Sequence, residues 1–148
     1  RRHRHQLSFT TGNHIDNPAR ILLGQIDSQQ LYRFAFLSVY FADDYLRLLV
    51  KEIIPRAERE LAGPLAWRGI AGYSLAGLFA LYAIYRTDVF SRVGCMSGSL
   101  WFPGFKEYIF SHEPKHRPDC IYFSLGDKES KTRNSILKSV QQNTEEIH

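Results

Sequence analysis

The longest amphipathic pattern in the chain predicts a helix in its middle third. Apolar residues recur every three to four positions from Phe41 to Leu61, which is the spacing of one helical face. Acidic residues near the start favour a helix amino terminus, because the helix dipole is positive there. Pro55 lies inside the pattern and predicts a kink or break, and Gly63 with Pro64 predicts its end.

After this helix, short apolar runs alternate with helical patterns. Strands are predicted over residues 65–72, 92–97 and 120–125, and helices over residues 75–86 and from about Ser130. The 75–86 segment is apolar on nearly all sides, which is typical of a buried helix. The alternation predicts an α/β fold with a mostly parallel sheet and helices on both faces. Functional loops are then expected beyond the carboxyl ends of the strands.

The amino-terminal part of the chain has weaker patterns. Residues 1–20 are polar and rich in turn-forming residues, so we predict a loop there. A short strand is indicated over residues 21–23, and the partial alternation over residues 31–40 does not decide between strand and helix.

Composition indicates a globular domain without a membrane or nucleic-acid role. The 148 residues suit one domain or part of one, and 44% of them are hydrophobic. The net charge is +4, but it falls to +1 without Arg1, Arg2 and Arg4, so a basic nucleic-acid-binding face is not expected. No apolar run approaches the ~18 residues of a membrane span, and no signal peptide is recognisable, which favours the cytoplasm.

Two further features concern the cysteines and the chain ends. Cys95 and Cys120 lie in predicted strands and are expected to be inert core thiols, because two cysteines do not make a disulfide scaffold.

The Arg-Arg-His-Arg-His start is unusual for a folded domain. We therefore expect the chain to be a single domain, over residues 1–148, and a piece of a longer protein.

The segment Gly72-Tyr73-Ser74-Leu75-Ala76-Gly77 joins a predicted strand to the buried helix. This is the context of a nucleophile elbow, in which small residues allow a tight turn that exposes the serine hydroxyl. Ser74 is the candidate nucleophile, and the N–H of Leu75 is a candidate oxyanion donor. Ala76 replaces the last glycine of the usual G-x-S-x-G pattern. The simpler interpretation is a tight turn with a buried serine.

Two other turns follow predicted strands. Glu129 or Asp127, in the turn after residues 120–125, could orient a catalytic histidine, although an acidic helix cap is an equally simple explanation. Ser99 and Trp101 follow residues 92–97, and with Tyr73 they are candidates for lining a substrate pocket; the alternative is a surface turn with Trp101 in the core.

The three turns together resemble the putative esterase family of α/β hydrolases, which includes esterase D and antigen 85 type enzymes. The motifs that carry the resemblance are Gly-Tyr-Ser-Leu-Ala-Gly, Ser-Gly-Ser-Leu-Trp and Gly-Asp-Lys-Glu, in this order. The siderophore (enterochelin-type) esterases and their uncharacterised bacterial relatives are the most similar branch. The resemblance covers residues 41–148 well and residues 1–40 poorly.

The resemblance implies that Ser74 is the nucleophile and that Glu129 is the acid of an α/β-hydrolase triad. The family's histidine follows the acid, but only His148 follows Glu129 here. We therefore expect the catalytic histidine outside this chain, in a carboxyl-terminal part of the domain that this chain lacks. The resemblance likewise implies that strands are missing at the amino end. His112 and His116 lie in a polar segment and are expected to be solvated surface residues.

These features predict a serine carboxylic-ester hydrolase that forms an acyl-enzyme on Ser74 and acts on a small-molecule ester. No metal or other cofactor is expected, since a triad needs none. An acyltransferase on the same triad and an inactive binding module with the same fold are the alternatives. The sequence does not identify the natural ester or an oligomeric state.

Overall fold

Four parallel strands form the sheet in the part of the chain that the computed structural model describes, which is the backbone of residues 4–10 and all of residues 41–148. The strands are β1 (Arg4–Thr10), β2 (Gly69–Tyr73), β3 (Arg92–Met96) and β4 (Cys120–Gly126), in the spatial order β1-β4-β3-β2. The predicted parallel sheet is therefore confirmed. The predictions for residues 21–23 and 31–40 lie outside the described residues.

The loop predicted for residues 1–20 is wrong over residues 4–10. This segment runs parallel to β4 with Arg4 opposite Cys120 and Thr10 opposite Gly126. Pairing with the edge of β4 satisfies the backbone N–H and C=O groups whatever the side chains are, so a polar composition does not prevent a strand.

The helix predicted from Phe41 is present and contains the irregularity expected at Pro55. Residues 41–48 are α-helical, Leu49–Ile53 form a π-helical turn, and Ile54–Glu58 return to the α-helical form; together they are α1. Proline has no N–H to donate, and the wider turn just before Pro55 accommodates this loss.

The helix predicted over residues 75–86 is confirmed at both ends as α2 (Leu75–Arg86). It packs on one face of the sheet, in a buried cluster with Val93 and Cys95 of β3 and Phe123 of β4. Leu125 of β4 is also buried, in a second cluster. The alternation of buried residues along β3 places the core between α2 and the sheet, since successive strand side chains point to opposite faces.

The remaining helices follow β3 and β4. They are α3 (Phe105–Ser111), α4 (Ser135–Lys138) and α5 (Val140–Ile147). The sequence patterns missed α3, which has only seven residues. The helix predicted from about Ser130 begins later, because the Asn134 side chain accepts hydrogen bonds from the first N–H groups of α4. Among the described residues, none of the helices is long and apolar enough to cross a membrane.

An ion pair and a hydrogen bond join α1 to α2. Both carboxylate oxygens of Asp43 accept hydrogen bonds from the Arg86 guanidinium at 3.0 Å, and the Tyr82 hydroxyl donates to the same carboxylate at 2.8 Å. Burial raises the pKa of Tyr82 to about 12, and the hydrogen bond to Asp43 adds to the shift. The neutral phenol therefore remains the donor at ordinary pH.

The start of α2 packs on the end of β2 more closely than side chains would allow. A Cβ atom on Gly72 would lie 2.3 Å from the carbonyl carbon and oxygen of Ala76. A Cβ atom on Gly77 would lie 2.9 Å from the Gly72 carbonyl oxygen and 3.1 Å from the Cα of Gly98. Glycine at these positions is thus what permits the tight turn between β2 and α2.

Gly72→Ala is expected to destabilise the full-length protein by about 1–3 kcal/mol, because the added methyl must push the first turn of α2 off β2. Gly63→Ala is the matched control, since a Cβ there meets no atom within 4 Å. Urea denaturation of both variants measures the free energy of unfolding. Equal free energies of unfolding for the two variants would show that the contact between β2 and α2 is not close-packed.

Candidate active site

Ser74 occupies a strained turn between β2 and α2. Its φ of 58° and ψ of −120° lie in a region that residues with a Cβ rarely adopt. Its N–H donates to the Met96 carbonyl at 3.0 Å, and its own carbonyl accepts from the N–H groups of Gly77 and Leu78 at 3.0 and 3.1 Å. The serine therefore ends the strand pairing and begins the helix within one residue, which is the backbone path that the predicted nucleophile elbow needs.

Leu75 provides a backbone donor next to this hydroxyl. It is the first residue of α2, so its N–H belongs to the helix's first turn, where N–H groups have no carbonyl four residues earlier to bind. The helix dipole adds positive potential at this end. Ala76, which replaces the usual glycine, is exposed and does not obstruct the turn.

The turn after β3 brings Ser99 to Ser74, the predicted nucleophile. Ser99 is buried, and its Oγ lies 3.3 Å from the Oγ of Ser74. Its N–H also donates to the Ser74 carbonyl oxygen at 3.0 Å. The predicted assignment of Ser99 to a substrate pocket remains a prediction, but its contact with the elbow is direct.

The other two predicted pocket residues differ in exposure. Tyr73, at the end of β2, has 57% of its surface exposed. Trp101 is buried in an apolar cluster with Leu125, Leu137 and Val140. Their roles as pocket residues also remain predictions.

Glu129 and Asp127 differ in exposure although they share one turn. Asp127 is exposed, whereas Glu129 is half-buried and its Oε1 accepts a hydrogen bond from the Gly126 N–H at 3.0 Å. The Glu129 N–H donates back to the Gly126 carbonyl at 3.1 Å. This reciprocal pair holds the Glu129 carboxylate at the carboxyl end of β4.

The strand register places the two turns at the same edge of the sheet. Tyr73 pairs with Met96, and Met96 pairs with Ser124, so β2 and β3 end at one level and β4 runs two residues further, to Gly126. With neighbouring strands about 4.8 Å apart and about 3.3 Å per residue along a strand, the ends of β2 and β4 are separated by roughly 12 Å. A single imidazole with a hydrogen bond at each nitrogen suits such a gap.

Two of the three histidine side chains that the structure describes pack on aromatic rings. His112 ends α3, stacks on Tyr108 with ring centroids 4.3 Å apart, and its Nδ1 is 2.9 Å from the Tyr108 carbonyl oxygen. His116 is exposed, and His148 packs edge-on against Phe123 at 5.9 Å. The expectation that His112 and His116 are surface residues is confirmed.

Cys95 is an inert thiol, as expected. It is buried in β3, and burial raises its pKa to about 12. The thiolate needed for nucleophilic attack is therefore unfavourable at ordinary pH.

An apolar cavity of about 560 Å³ begins at the residue after Ser74. Residues from α1, α2, the turn before α3 and α3 itself line it, many of them aromatic: Phe41, Ala42, Tyr45, Leu75, Ala76, Leu78, Phe79, Tyr82, Phe102, Pro103, Gly104, Phe105 and Tyr108. This cavity was not among the sequence predictions. The aromatic residues Phe41 and Tyr45 of α1 were the available signal in the sequence, and in the structure each has more than half of its surface exposed.

Comparison with known proteins gives one family and one weak relative. The family model described as "Putative esterase" matches residues 34–147. The "Uncharacterized protein YbbA" of Bacillus subtilis (strain 168) is 27% identical over 145 residues, which cover 88% of this chain and 58% of that protein. The chain thus spans less than two thirds of its relative's length.

No solved structure matches the chain. The family match covers most of the described residues, including all three turns at the carboxyl edge of the sheet. The parallel sheet and its helices agree with the architecture of that family. The chain belongs to the putative esterase family and has the α/β-hydrolase fold.

Proposed function

We propose that the protein is a serine carboxylic-ester hydrolase that works through an acyl-enzyme on Ser74. The strained backbone of Ser74, at the junction of β2 and α2, is the observation that carries this proposal. Strain of this kind is retained where the surrounding structure holds it and is concentrated at active sites. Here it directs a serine hydroxyl to the edge of a parallel sheet, beside an N–H of a helix's first turn.

The first half of the reaction forms the acyl-enzyme. The Ser74 Oγ attacks the ester carbonyl carbon while its proton passes to a histidine, which we place outside residues 41–148. The carbonyl oxygen becomes an oxyanion and accepts a hydrogen bond from the Leu75 N–H. When the intermediate collapses, the bond to the alcohol oxygen breaks, and the histidine returns the proton to the departing alcohol.

The second half releases the acid. Water loses a proton to the same histidine and attacks the acyl carbon, and the bond to the Ser74 Oγ then breaks as that oxygen regains its proton. In both halves the histidine is transiently an imidazolium. We assign Glu129 rather than Asp127 to orient and stabilise it, because the Glu129 carboxylate is half-buried and held by Gly126.

We further propose that the apolar cavity receives the acyl part of the ester. Its wall includes Leu75 and Ala76, the two residues directly after the nucleophile, and Phe102 from the turn that follows Ser99. An apolar chain bound there would leave its carbonyl carbon near the start of α2. The preferred substrate is then an ester of an apolar acid.

Ser74→Ala is expected to abolish hydrolysis of p-nitrophenyl acetate by the full-length protein, because it removes the attacking oxygen. Its melting temperature should stay near that of the parent. Ser97→Ala, in the turn after β3, is a matched serine-to-alanine control and should hydrolyse at the parent rate. Activity that survives Ser74→Ala would exclude Ser74 as the nucleophile.

Varying the length of the acyl chain tests whether the cavity binds the acyl part of the ester. For p-nitrophenyl esters from acetate to hexanoate, kcat/KM is expected to rise about fourfold per added CH₂, which corresponds to about 0.8 kcal/mol for each buried CH₂. Ala42→Trp on α1 fills the cavity and should flatten the series. Ala57→Trp, at an exposed position of the same helix, is the matched control and should keep the slope. If kcat/KM rises equally steeply with chain length in Ala42→Trp, the acyl chain binds outside this cavity.

A further inference from the structure

The turn after β3 is held against the elbow by backbone packing. Ser97 has a positive φ of 45°, and among the described non-glycine residues only Ser74 shares this feature. A Cβ on Gly98 would lie 2.3 Å from the Cys95 Sγ, so a side chain at this position would displace the buried Cys95 thiol. The Ser99 N–H then reaches the Ser74 carbonyl oxygen at 3.0 Å. The turn after β3, which contains Ser97, is therefore hydrogen-bonded through its backbone to the turn at Ser74, and each turn contains a residue with a positive φ.

This packing leaves the Ser99 hydroxyl with one partner. Ser99 has 4% of its surface exposed, and its Oγ lies 3.3 Å from the Ser74 Oγ. Within residues 41–148 its side chain makes no other hydrogen bond. The separation is longer than the 2.5–3.0 Å of most hydroxyl pairs, but catalytic hydrogen bonds are often long without substrate and shorten during the reaction.

We propose that Ser99 is a positioning residue that donates a hydrogen bond to the Ser74 Oγ, a role that rests on the proposed function of Ser74. The Ser74 hydroxyl has one proton, and the reaction gives it to the histidine. The proton shared by the two serines must therefore come from Ser99, which keeps its own proton throughout.

The hydrogen bond acts on both chemical steps. The Ser74 Oγ gains negative charge when it attacks the ester and again when it leaves the acyl carbon during deacylation. A donor to a charged oxygen forms a stronger hydrogen bond than a donor to a neutral one. Ser99 thus favours both transition states over the ground state and also holds the Ser74 side chain in one rotamer.

Three variants of the full-length protein separate this role from simple space filling. Ser99→Ala removes the donor, and Ser99→Cys keeps a side chain of similar size with only a weak donor. Ser97→Ala is the control in the same turn. With p-nitrophenyl acetate, both Ser99 variants are expected to lose roughly 10-fold in kcat with unchanged KM and an unchanged pH midpoint. The rate at which a fluorophosphonate labels Ser74 should fall by a similar factor.

The outcomes distinguish the inference from the proposed function. A parent-like kcat in Ser99→Ala, or full recovery in Ser99→Cys, would show that Ser99 only fills space and would overturn the inference alone. If Ser99→Ala does not fold, Ser99→Cys decides the question by the same criterion. A parent protein that neither hydrolyses the ester nor labels at Ser74 would overturn the proposed function and this inference with it.

Discussion

The close contact between the end of β2 and the start of α2 is the constraint on which the site depends. Gly72 and Gly77 let the helix backbone approach the strand within a distance that no Cβ atom would tolerate. The chain can then reverse within one residue only if Ser74 takes a positive φ. That conformation projects the hydroxyl from the edge of the sheet and places the Leu75 N–H beside it. The same backbone turn therefore determines both how closely α2 packs on β2 and where the Ser74 hydroxyl lies.

The parallel register then gathers the remaining groups. Because β2 and β3 end at one level and β4 ends only two residues beyond it, the turns that follow them lie along the same edge. The turn after β3 brings Ser99 against Ser74, and the turn after β4 holds the Glu129 carboxylate two strands away. The cavity is lined by residues of α1, α2, α3 and the turn before α3. An antiparallel arrangement of the same segments would not place these residues together.

The elements that were predictable from the sequence are those whose signal is local. The helix α2 was predicted to its exact ends because its start is set by the elbow and its sides are almost all apolar. The kink at Pro55 follows from a missing N–H. In contrast, β1 depends on pairing with β4, which is more than a hundred residues away along the chain, and its polar composition gave no sign of that partner.

The same distinction applies to the site. Ser74, Leu75 and the acidic turn are visible as short motifs, whereas the choice between Asp127 and Glu129 depends on which side chain folds back onto Gly126. The contact between Ser99 and Ser74 needs two turns that lie 25 positions apart. The cavity needs α1 opposite α2 and α3, and helical periodicity alone does not reveal which element faces another.

Trapping the acyl-enzyme tests the central role of Ser74 most directly. The full-length protein is mixed with excess p-nitrophenyl ester, quenched in acid during turnover, digested and analysed by mass spectrometry. If the acyl-enzyme forms on Ser74, the peptide that carries Ser74 gains the mass of one acyl group. The same peptide from the unreacted protein does not carry this added mass. An acyl group found on a different residue, or turnover with no acyl group on any peptide, would contradict this role of Ser74.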